Sequence, residues 1–192
     1  MKINYNQLMH EEISSFGENK PRLLLHCCCA PCSSAVIERL KDHFDITYLY
    51  FNSNIYPYDE YALRREQFSK LGVEVVDIGY DHAEFLELVS GRESDAEGGE
   101  RCRICIAYRM DRAFQYASSH GFDIVTTTLS ISPHKDAEFI NLTGERLADK
   151  YNIRYLHADF KKENGFLRST ILTKEKSMYR QTYCGCEFSE NH

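Results

Sequence analysis

Arg22–Asp42 reads RLLLHCCCAPCSSAVIERLKD, and this stretch decides the fold. Its first part, Arg22–Cys28, is a short apolar run that predicts a buried strand. After the CAPC turn, Ser33–Asp42 has the pattern of a helix. A strand that leads directly into a loop and a helix is the opening of a βαβ unit. The cysteines of this stretch therefore stand at the carboxyl end of the first predicted strand.

The alternation of strands and helices continues along the chain. Runs rich in β-branched and aromatic residues predict four further strands, at Asp45–Asn52, Val73–Ile78, Asp123–Thr128 and Ile153–Leu156. Helices are predicted at Tyr58–Leu71, His82–Val89, Cys102–His120, Ala137–Tyr151 and Thr173–Gln181. The Gly, Ser and acidic residues of Ser90–Glu100 indicate an exposed loop.

This pattern predicts a single α/β domain over residues 1–192. Strands that alternate with helices of about 10 to 15 residues imply βαβ units, a mainly parallel sheet and helices on both faces, which is a Rossmann-like arrangement. Residues 1–20 form an N-terminal extension, and residues 161–192 form a C-terminal segment. In such a sheet the functional crevice lies at the carboxyl ends of the strands, where the first strand places its cysteines.

The composition bounds the environment of the protein. The N-terminal residues MKINYNQLMHEEISSFGENK lack the basic start and the apolar stretch of a secretory signal. No apolar run approaches the roughly 20 residues of a membrane helix. We therefore expect a soluble cytoplasmic protein without a membrane partner. Because a reducing compartment disfavours structural disulfides, the eight cysteines indicate metal binding or catalysis.

Charge is unevenly placed along the chain. The net charge of -6 argues against a protein that coats nucleic acid indiscriminately. From Lys161 to Arg180, however, six basic residues stand against two acidic ones. This segment predicts a docking surface for a polyanion, and a solvated helix face is the alternative. The candidate substrate-binding residues in it are Lys161, Lys162, Arg168 and Arg180.

The eight cysteines fall into four compact groups. A CxxC pair at the start of a helix lets two thiolates reach one metal centre. Adjacent cysteines project in different directions, which suits the separate irons of a 4Fe-4S cluster better than one tetrahedral zinc ion. The spacing therefore favours an iron-sulfur site. The groups are Cys27, Cys28 and Cys29 in a row, Cys32 at the end of CAPC, Cys102 and Cys105 in CRIC, and Cys184 and Cys186 in CGC.

Two of these groups allow other interpretations. CAPC after a strand is also typical of a thioredoxin-like thiol oxidoreductase, although that reading leaves the four later cysteines without a role. A disulfide between Cys184 and Cys186 closes a small strained ring that is easily reduced. The CGC group is therefore either a redox switch or a further pair of metal thiolates. A non-catalytic module that binds zinc or a cluster and contacts RNA is the alternative from another functional class.

Five motifs, in order, resemble those of the QueH family of epoxyqueuosine reductases. They cover nearly all of the chain from Arg22 to Ser189: LLLHCCCAPCS, FNSNIYPYDEYALRREQF, CRICIAYRM, TTTLSISPHKD and DFKKENGFLRSTILTKEKSMYRQTYCGCEFS. The resemblance implies an oxidoreductase that converts epoxyqueuosine to queuosine at the wobble position of tRNA, the last step of queuosine biosynthesis. It also implies an external electron donor of the ferredoxin or flavodoxin type. The sheet of the family resembles that of adenine-nucleotide α-hydrolases, but this chain has no SGGxDS loop, so ATP use is not implied.

The resemblance further implies roles for the cysteines. It assigns a 4Fe-4S cluster to Cys28, Cys29, Cys102 and Cys105, and it makes Cys184 and Cys186 a redox-active pair. It also implies one additional iron, or zinc, beside the cluster. Other members usually have another residue at the position of Cys27, so the cluster positions are counted back from Ala30-Pro31. The ligands implied for the additional metal are Cys32, Cys184 and Cys186.

The implied reaction needs two electrons, two protons and a proton donor for the epoxide oxygen. Three side chains beside the motifs are candidates, and a structural role is the alternative for each. We expect His26, at the end of a strand, to orient a cluster ligand by hydrogen bonding. The three candidates are His134, Asp136 and Tyr183.

The bases of a single-stranded anticodon loop can be splayed out and stacked on aromatic or guanidinium planes. Tyr56, Tyr58, Tyr61 and Arg64 offer such surfaces. For Tyr61 and Phe68 the favoured interpretation is packing of a helix against the sheet.

Overall fold

Arg22–His26 forms the central strand, β1, in the computed structural model, which describes residues 3–189. Four of its five residues are buried. Leu23 and Leu25 belong to one apolar core, and Leu24 belongs to the other. Because side chains alternate between the faces of a strand, this continuous apolar run places core on both sides of the sheet.

The sheet has five strands in the order β3-β2-β1-β4-β5, and every pairing is parallel. Leu24 of β1 lies opposite Thr47 of β2 and Val125 of β4. The chain builds β2 and β3 on one side of β1 and then crosses over to β4 on the other side. The crevice between β1 and β4 is therefore the topological switch point, where open parallel sheets bind ligands. The other strands are β2 (Asp45–Tyr50), β3 (Val75–Asp77), β4 (Ile124–Thr127) and β5 (Arg154–Tyr155).

Helices cover both faces of the sheet, as predicted. Val36 and Leu172 place α2 and α7 on one core, and Ile106 and Ile140 place α5 and α6 on the other. The α/β fold class, with one domain and a parallel sheet, is confirmed. The helices are α1 (Tyr5–Ser15), α2 (Ala30–Leu40), α3 (Tyr58–Glu66), α4 (His82–Leu88), α5 (Glu100–His120), α6 (Ala137–Tyr151) and α7 (Gly165–Glu175), with short 3₁₀ segments at Gln67–Leu71, Thr128–Ile131 and Glu187–Ser189.

The N-terminal extension contains a helix that the sequence analysis did not assign. Asn4 caps α1, because its side-chain oxygen accepts a hydrogen bond from the backbone N–H of Gln7. Met9 of α1 is fully buried in the core beside α2. Residues 3–20 are thus part of the folded domain. None of the helices described over residues 3–189 combines the length and apolar character needed to cross a membrane.

The predicted limits of the last helix are wrong. The helix spans Gly165–Glu175 rather than Thr173–Gln181. Ser177 has a φ of 49°, and the N–H of Met178 turns back to the carbonyl of Thr173. The next residue, Tyr179, donates its N–H to the side chain of Gln67 at 2.8 Å. Beyond Met178 the chain therefore finds backbone partners on other elements instead of continuing the helix.

Candidate metal centre and active site

The run of three cysteines continues β1 beyond its last strand residue. Cys27 donates its N–H to Leu49 O at 2.8 Å, and its side chain is buried in the core beside Leu25. Cys28 lies on the other face, where its N–H donates to Thr128 Oγ1 at 3.1 Å. Strand geometry thus separates these two neighbours, as the alternation of side chains requires. Cys28 stands at the switch point between β1 and β4.

Cys28, Cys29 and Cys32 form a compact thiol group, with their sulfur atoms all within 4.8 Å of one another. Cys29 caps α2, and its Sγ accepts a hydrogen bond from the N–H of Cys32 at 3.5 Å. Gln181 donates from Nε2 to Cys29 Sγ at 3.0 Å. Among residues 3–189, this is the one group of three potential metal-ligand side chains with atoms so close.

The three thiols differ in pKa. Hydrogen bonds from Cys29 and Cys32 lower the pKa of Cys28, and Thr128 and Arg109 lower it further. Hydrogen bonds to Cys28 and Cys29, together with burial, raise the pKa of Cys32. The group is therefore arranged to hold a thiolate at Cys28. A buried thiolate is the form of cysteine that ligates a metal.

A second pair of thiols stands on the first turns of α5. Cys102 and Cys105 are three residues apart and therefore share a face of the helix. Cys102 Sγ accepts a hydrogen bond from the N–H of Gly98 at 3.3 Å. Burial raises the pKa of Cys105 to about 11.

The Cys184-Gly185-Cys186 turn is held against this site by buried side chains. Arg64, which is 2% exposed, donates to Cys184 O at 2.9 Å and is paired with Glu60 at 2.7 Å. The carbonyl of Gly185 accepts a hydrogen bond from the N–H of Tyr56. The turn is thus tied to α3 and to the loop that precedes it.

A lysine faces the sulfur of Cys184. Lys135 Nζ donates to Cys184 Sγ at 3.3 Å. Burial raises the pKa of Cys184, but Lys135 and Arg109 outweigh burial and hold this pKa below its usual value. All eight cysteines are free thiols in the structure.

Seven of the cysteines line two cavities that share a wall. The smaller cavity, of about 90 Å³, is lined by Cys102, Cys105, Cys184 and Cys186. The larger cavity, of about 380 Å³, is lined by Cys28, Cys29, Cys32 and Cys184. The side chains common to both cavities are Glu97, Arg109, His134, Lys135 and Cys184.

Two cations at this wall were missed by the sequence analysis. Arg109 is 3% exposed, and its positive charge interacts with Cys105, Cys184, Cys28 and Cys102. A signal for it existed, because Arg109 lies four residues after Cys105 on the same helix face. Lys135 stands between His134 and Asp136 in the TTTLSISPHKD motif, but nothing in the sequence distinguished it from its neighbours. Both cations counter the negative charge that thiolates bring into a buried site.

The cysteines predicted to ligate the cluster lie partly on one cavity and partly on the other. Cys28 and Cys29 border the larger cavity, and Cys102 and Cys105 border the smaller one. Cys32, predicted with Cys184 and Cys186, has its sulfur within 4.8 Å of those of Cys28 and Cys29, and it lines the larger cavity together with Cys184. The complete ligand set of a cluster therefore stays a prediction.

The expected proton donors differ in their surroundings. Asp136 caps α6 by accepting from the N–H groups of Glu138 and Phe139, which is a structural role. His134 is exposed at the wall of both cavities. The ring of Tyr183 lies against Arg64.

His26 does not contact a cysteine through a hydrogen bond. It is fully buried, and its ring bonds to Thr127 Oγ1 at 2.9 Å and to the carbonyl of Phe51 at 3.1 Å. Burial and Arg109 lower its pKa to about 4, so the ring is neutral. Its role is to join the ends of β1, β2 and β4, and Thr128 is the residue that reaches Cys28.

The basic segment is dispersed by the fold. Arg168 makes two hydrogen bonds to Glu38, and Lys161 pairs with Asp159. Lys162 is exposed, and Arg180 borders the larger cavity next to Cys29. Of the four candidates, only Arg180 lies at the cysteine site.

The aromatic candidates also divide. Tyr56 and Tyr58 are 45% and 53% exposed, whereas Tyr61 is buried and stays in the core, as the packing interpretation states. Arg64 is buried under the C-terminal turn, so the interpretation of Arg64 as a stacking surface for a base is wrong.

Comparison with known proteins shows which family this chain matches. The family model described as "Epoxyqueuosine reductase QueH" matches residues 23–192. A protein of that name from Streptococcus pyogenes serotype M1 is 40% identical over 98% of this chain and 78% of its own length. Proteins with the same name are 36% identical in Staphylococcus epidermidis, over 98% of this chain and 85% of theirs, and 39% identical in Haemophilus influenzae, over 90% and 72%.

Proposed function

Because the chain belongs to the epoxyqueuosine reductase QueH family, we propose that it reduces epoxyqueuosine in tRNA to queuosine. The epoxide takes up two electrons and two protons, both C–O bonds break, and the products are an alkene and water. Such a reaction requires a site that delivers electrons and protons to a base displayed by the anticodon loop. We propose that the protein acts in the cytoplasm, where tRNA is modified.

The observation that carries this proposal is the convergence of seven cysteines on two cavities at the switch point of the sheet. Such a set of thiolates beside Arg109 and Lys135 suits an anionic iron-sulfur group. We propose that Cys28, Cys29, Cys102 and Cys105 hold a 4Fe-4S cluster. When bound, such a cluster transfers electrons one at a time. The donor that supplies them would be a ferredoxin or a flavodoxin.

The terminal pair has a separate role in this proposal. Cys184 and Cys186 supply two electrons when they become a disulfide. With Cys184 as a thiolate beside Lys135, one proton comes from the Cys186 thiol and the other from the Lys135 ammonium group, which balances the reduction of one epoxide. Lys135 donates to Cys184 Sγ and stabilises its thiolate. Alternatively, both thiolates ligate an additional iron or zinc together with Cys32.

The tRNA would approach over Arg180 and the exposed rings of Tyr56 and Tyr58. Tyr56 adjoins the redox pair, since its N–H bonds to Gly185 O. Its ring already stacks on His82, with centroids 5.0 Å apart. A stack of this kind can be extended by a base of a single-stranded loop.

Anaerobic reconstitution with iron and sulfide, followed by assay on tRNA carrying epoxyqueuosine, tests the proposal. We expect a brown protein that forms queuosine only when a reductant is supplied. The Cys184→Ser and Cys186→Ser variants should lose product formation and keep the visible spectrum. A colourless zinc protein that binds tRNA without forming queuosine would instead support a non-catalytic RNA-contacting module.

Alkylation then distinguishes the two roles of the terminal pair. If Cys184 and Cys186 bind a metal, both are protected until a chelator is added. If they act as a redox pair, the reduced protein is alkylated at both sites without a chelator. A double Ser variant that reduces the epoxide at the parental rate would remove the pair from the mechanism.

A further inference from the structure

Asn54 has a buried amide without hydrogen-bond partners. The residue is 1% exposed, and within residues 3–189 neither its Nδ2 nor its Oδ1 has a partner. It lies in the loop after β2, on the wall of the smaller cysteine cavity. Burial of an amide without a partner is costly, and an apolar residue of similar volume avoids that cost. The amide is therefore explained best by a group that occupies the cavity.

Arg101, on the same wall, repeats this pattern. It is 1% exposed, and its Nη1 donates to the carbonyls of the loop before α5. Its Nε and Nη2, which form the other edge of the guanidinium, have no partner among the described residues. One edge is thus fixed by the protein, and the other remains available to an acceptor in the cavity. The three carbonyls belong to Arg92, Glu93 and Asp95.

The surroundings indicate what kind of acceptor fits. Four cysteines line this cavity, and its four cationic side chains outnumber its two acidic ones. The cations are Arg101, Arg103, Arg109 and Lys135, and the acids are Glu97 and Asp136. Burial raises the pKa of Cys186, and the positive charge of Arg101 offsets part of this rise. A cavity with sulfur ligands, several cations and buried N–H donors suits an anionic group whose exposed atoms are sulfur.

We propose that Asn54 and Arg101 donate N–H···S hydrogen bonds to iron-bound sulfur in this cavity and thereby raise the reduction potential of the metal group. This inference rests on the proposed function, because that function brings an iron-sulfur group to Cys102 and Cys105 of this cavity. Reduction adds negative charge to the sulfur atoms. Donors and positive charge therefore stabilise the reduced form more than the oxidised form.

The Asn54→Leu variant tests the inference, because it keeps the approximate volume and removes the donor. Without iron, its unfolding temperature should not fall below the parental value, since no hydrogen bond is lost. With the cluster reconstituted, its midpoint potential should shift downward. We expect roughly a fivefold change in the reduction equilibrium, as for one ordinary hydrogen bond. Arg101 is a weaker test, since its variants also release three loop carbonyls.

Asn141→Leu is the matched control. Asn141 is also fully buried, but its amide is paired with the backbone of Ala137 and Ala158. This variant should lower the unfolding temperature and leave the midpoint potential unchanged. Asn54→Leu should thus change the midpoint potential without lowering the unfolding temperature, and Asn141→Leu should do the reverse. A general loss of structure does not produce this opposite behaviour.

The outcomes distinguish failure of the proposed cofactor from failure of the inference about Asn54 and Arg101. If the parental protein assembles no cluster, the proposed cofactor fails and the inference fails with it. If the parental protein carries the cluster and Asn54→Leu has the parental potential, the inference alone is overturned. An unchanged potential with a raised KM for tRNA would assign the amide to the substrate and would also overturn it.

Discussion

At the scale of single residues, Cys27 and Cys28 are adjacent in the chain and have different environments. Cys27 is buried in one core, with its Sγ 3.4 Å from the carbonyl of Leu25. Burial raises its pKa far above the ordinary value for a thiol. Cys28 has a lowered pKa and lies in the thiol group at the switch point. One step along a strand therefore separates a core thiol from a candidate ligand.

This contrast predicts opposite effects of two substitutions. Cys27→Ala should keep the full iron and sulfide content and the visible absorption after reconstitution, with a stability loss of about 1 kcal/mol from the lost sulfur contact. Cys28→Ser should lose most of that absorption. Loss of the cluster in Cys27→Ala would shift the ligand assignment by one residue.

Gly185 is required by the shape of the redox turn. Its φ is 121°, and a Cβ there would lie 2.9 Å from Arg64 Nη1 and 3.0 Å from Ile55 Cγ1. An alanine would be strained and would also displace the buried arginine that holds Cys184.

Gly185→Ala should therefore reduce epoxide turnover at least tenfold while the cluster spectrum persists, as measured by product formation and absorption. Gly72→Ala is the matched control. Gly72 also has a positive φ, 70°, but a Cβ there meets nothing within 4 Å. The control should lose some stability and keep its activity. Equal activities of the two variants would show that the turn tolerates displacement.

At the scale of elements, α1 is joined to the sheet edge through one histidine. His157 Nδ1 lies 2.6 Å from Glu12 Oε1 of α1, and its Nε2 lies 2.9 Å from Glu145 Oε1 of α6. Only a doubly protonated ring donates to both carboxylates. Burial lowers the pKa of His157, but the two carboxylates outweigh burial and raise it above the usual value.

The raised pKa predicts the sign of a pH effect. The stabilisation is fully present below the unfolded-state pKa of about 6.5 and is lost as the pH rises through the folded-state pKa. The unfolding temperature of the parental protein should therefore exceed that of His157→Gln most at about pH 6, and the difference should shrink toward pH 9. A constant difference across this range would contradict a charged ring. The difference in unfolding temperature between the parental protein and Glu12→Gln should also shrink as the pH rises, but by less.

At the scale of the whole molecule, an acidic protein of net charge -6 is proposed to bind a polyanion. Local cations must then dominate the encounter. Arg180 borders the larger cavity, and its guanidinium lies over the ring of Phe166 at 5.1 Å. Arg168 is already neutralised by Glu38.

The tRNA affinity should therefore fall steeply with salt, and charge reversal should act unevenly. Arg180→Glu should weaken tRNA binding severalfold without loss of the cluster absorption. The charge-reversal double variant Lys161→Glu and Lys162→Glu should also weaken tRNA binding. Arg168→Glu should have a smaller effect. These affinities can be measured by filter binding at two salt concentrations. Equal effects of Arg168→Glu and Arg180→Glu would place the RNA elsewhere.

The sequence by itself determined the alternation of strands and helices and the edge of the sheet where the cysteines meet. Both depend on local rules, because the period of apolar residues separates strand from helix and the carboxyl ends of parallel strands share one edge. The place of Cys28 and Cys29 at the end of β1, and that of Cys102 and Cys105 at the start of α5, could therefore be predicted before the structure.

Only the tertiary structure decided which other side chains join that edge. Arg109, Lys135 and Asn54 come from three separate parts of the chain, and only Arg109, four residues after Cys105, has a local sign of its position. The limits of α7 were missed because Gln67, more than a hundred residues away, binds the backbone that would have continued the helix. Arg64 was read as a surface residue because its burial depends on the C-terminal turn that covers it. Contacts between residues distant in the chain form only when the packing of whole elements brings them together, so local periodicity carries no record of them.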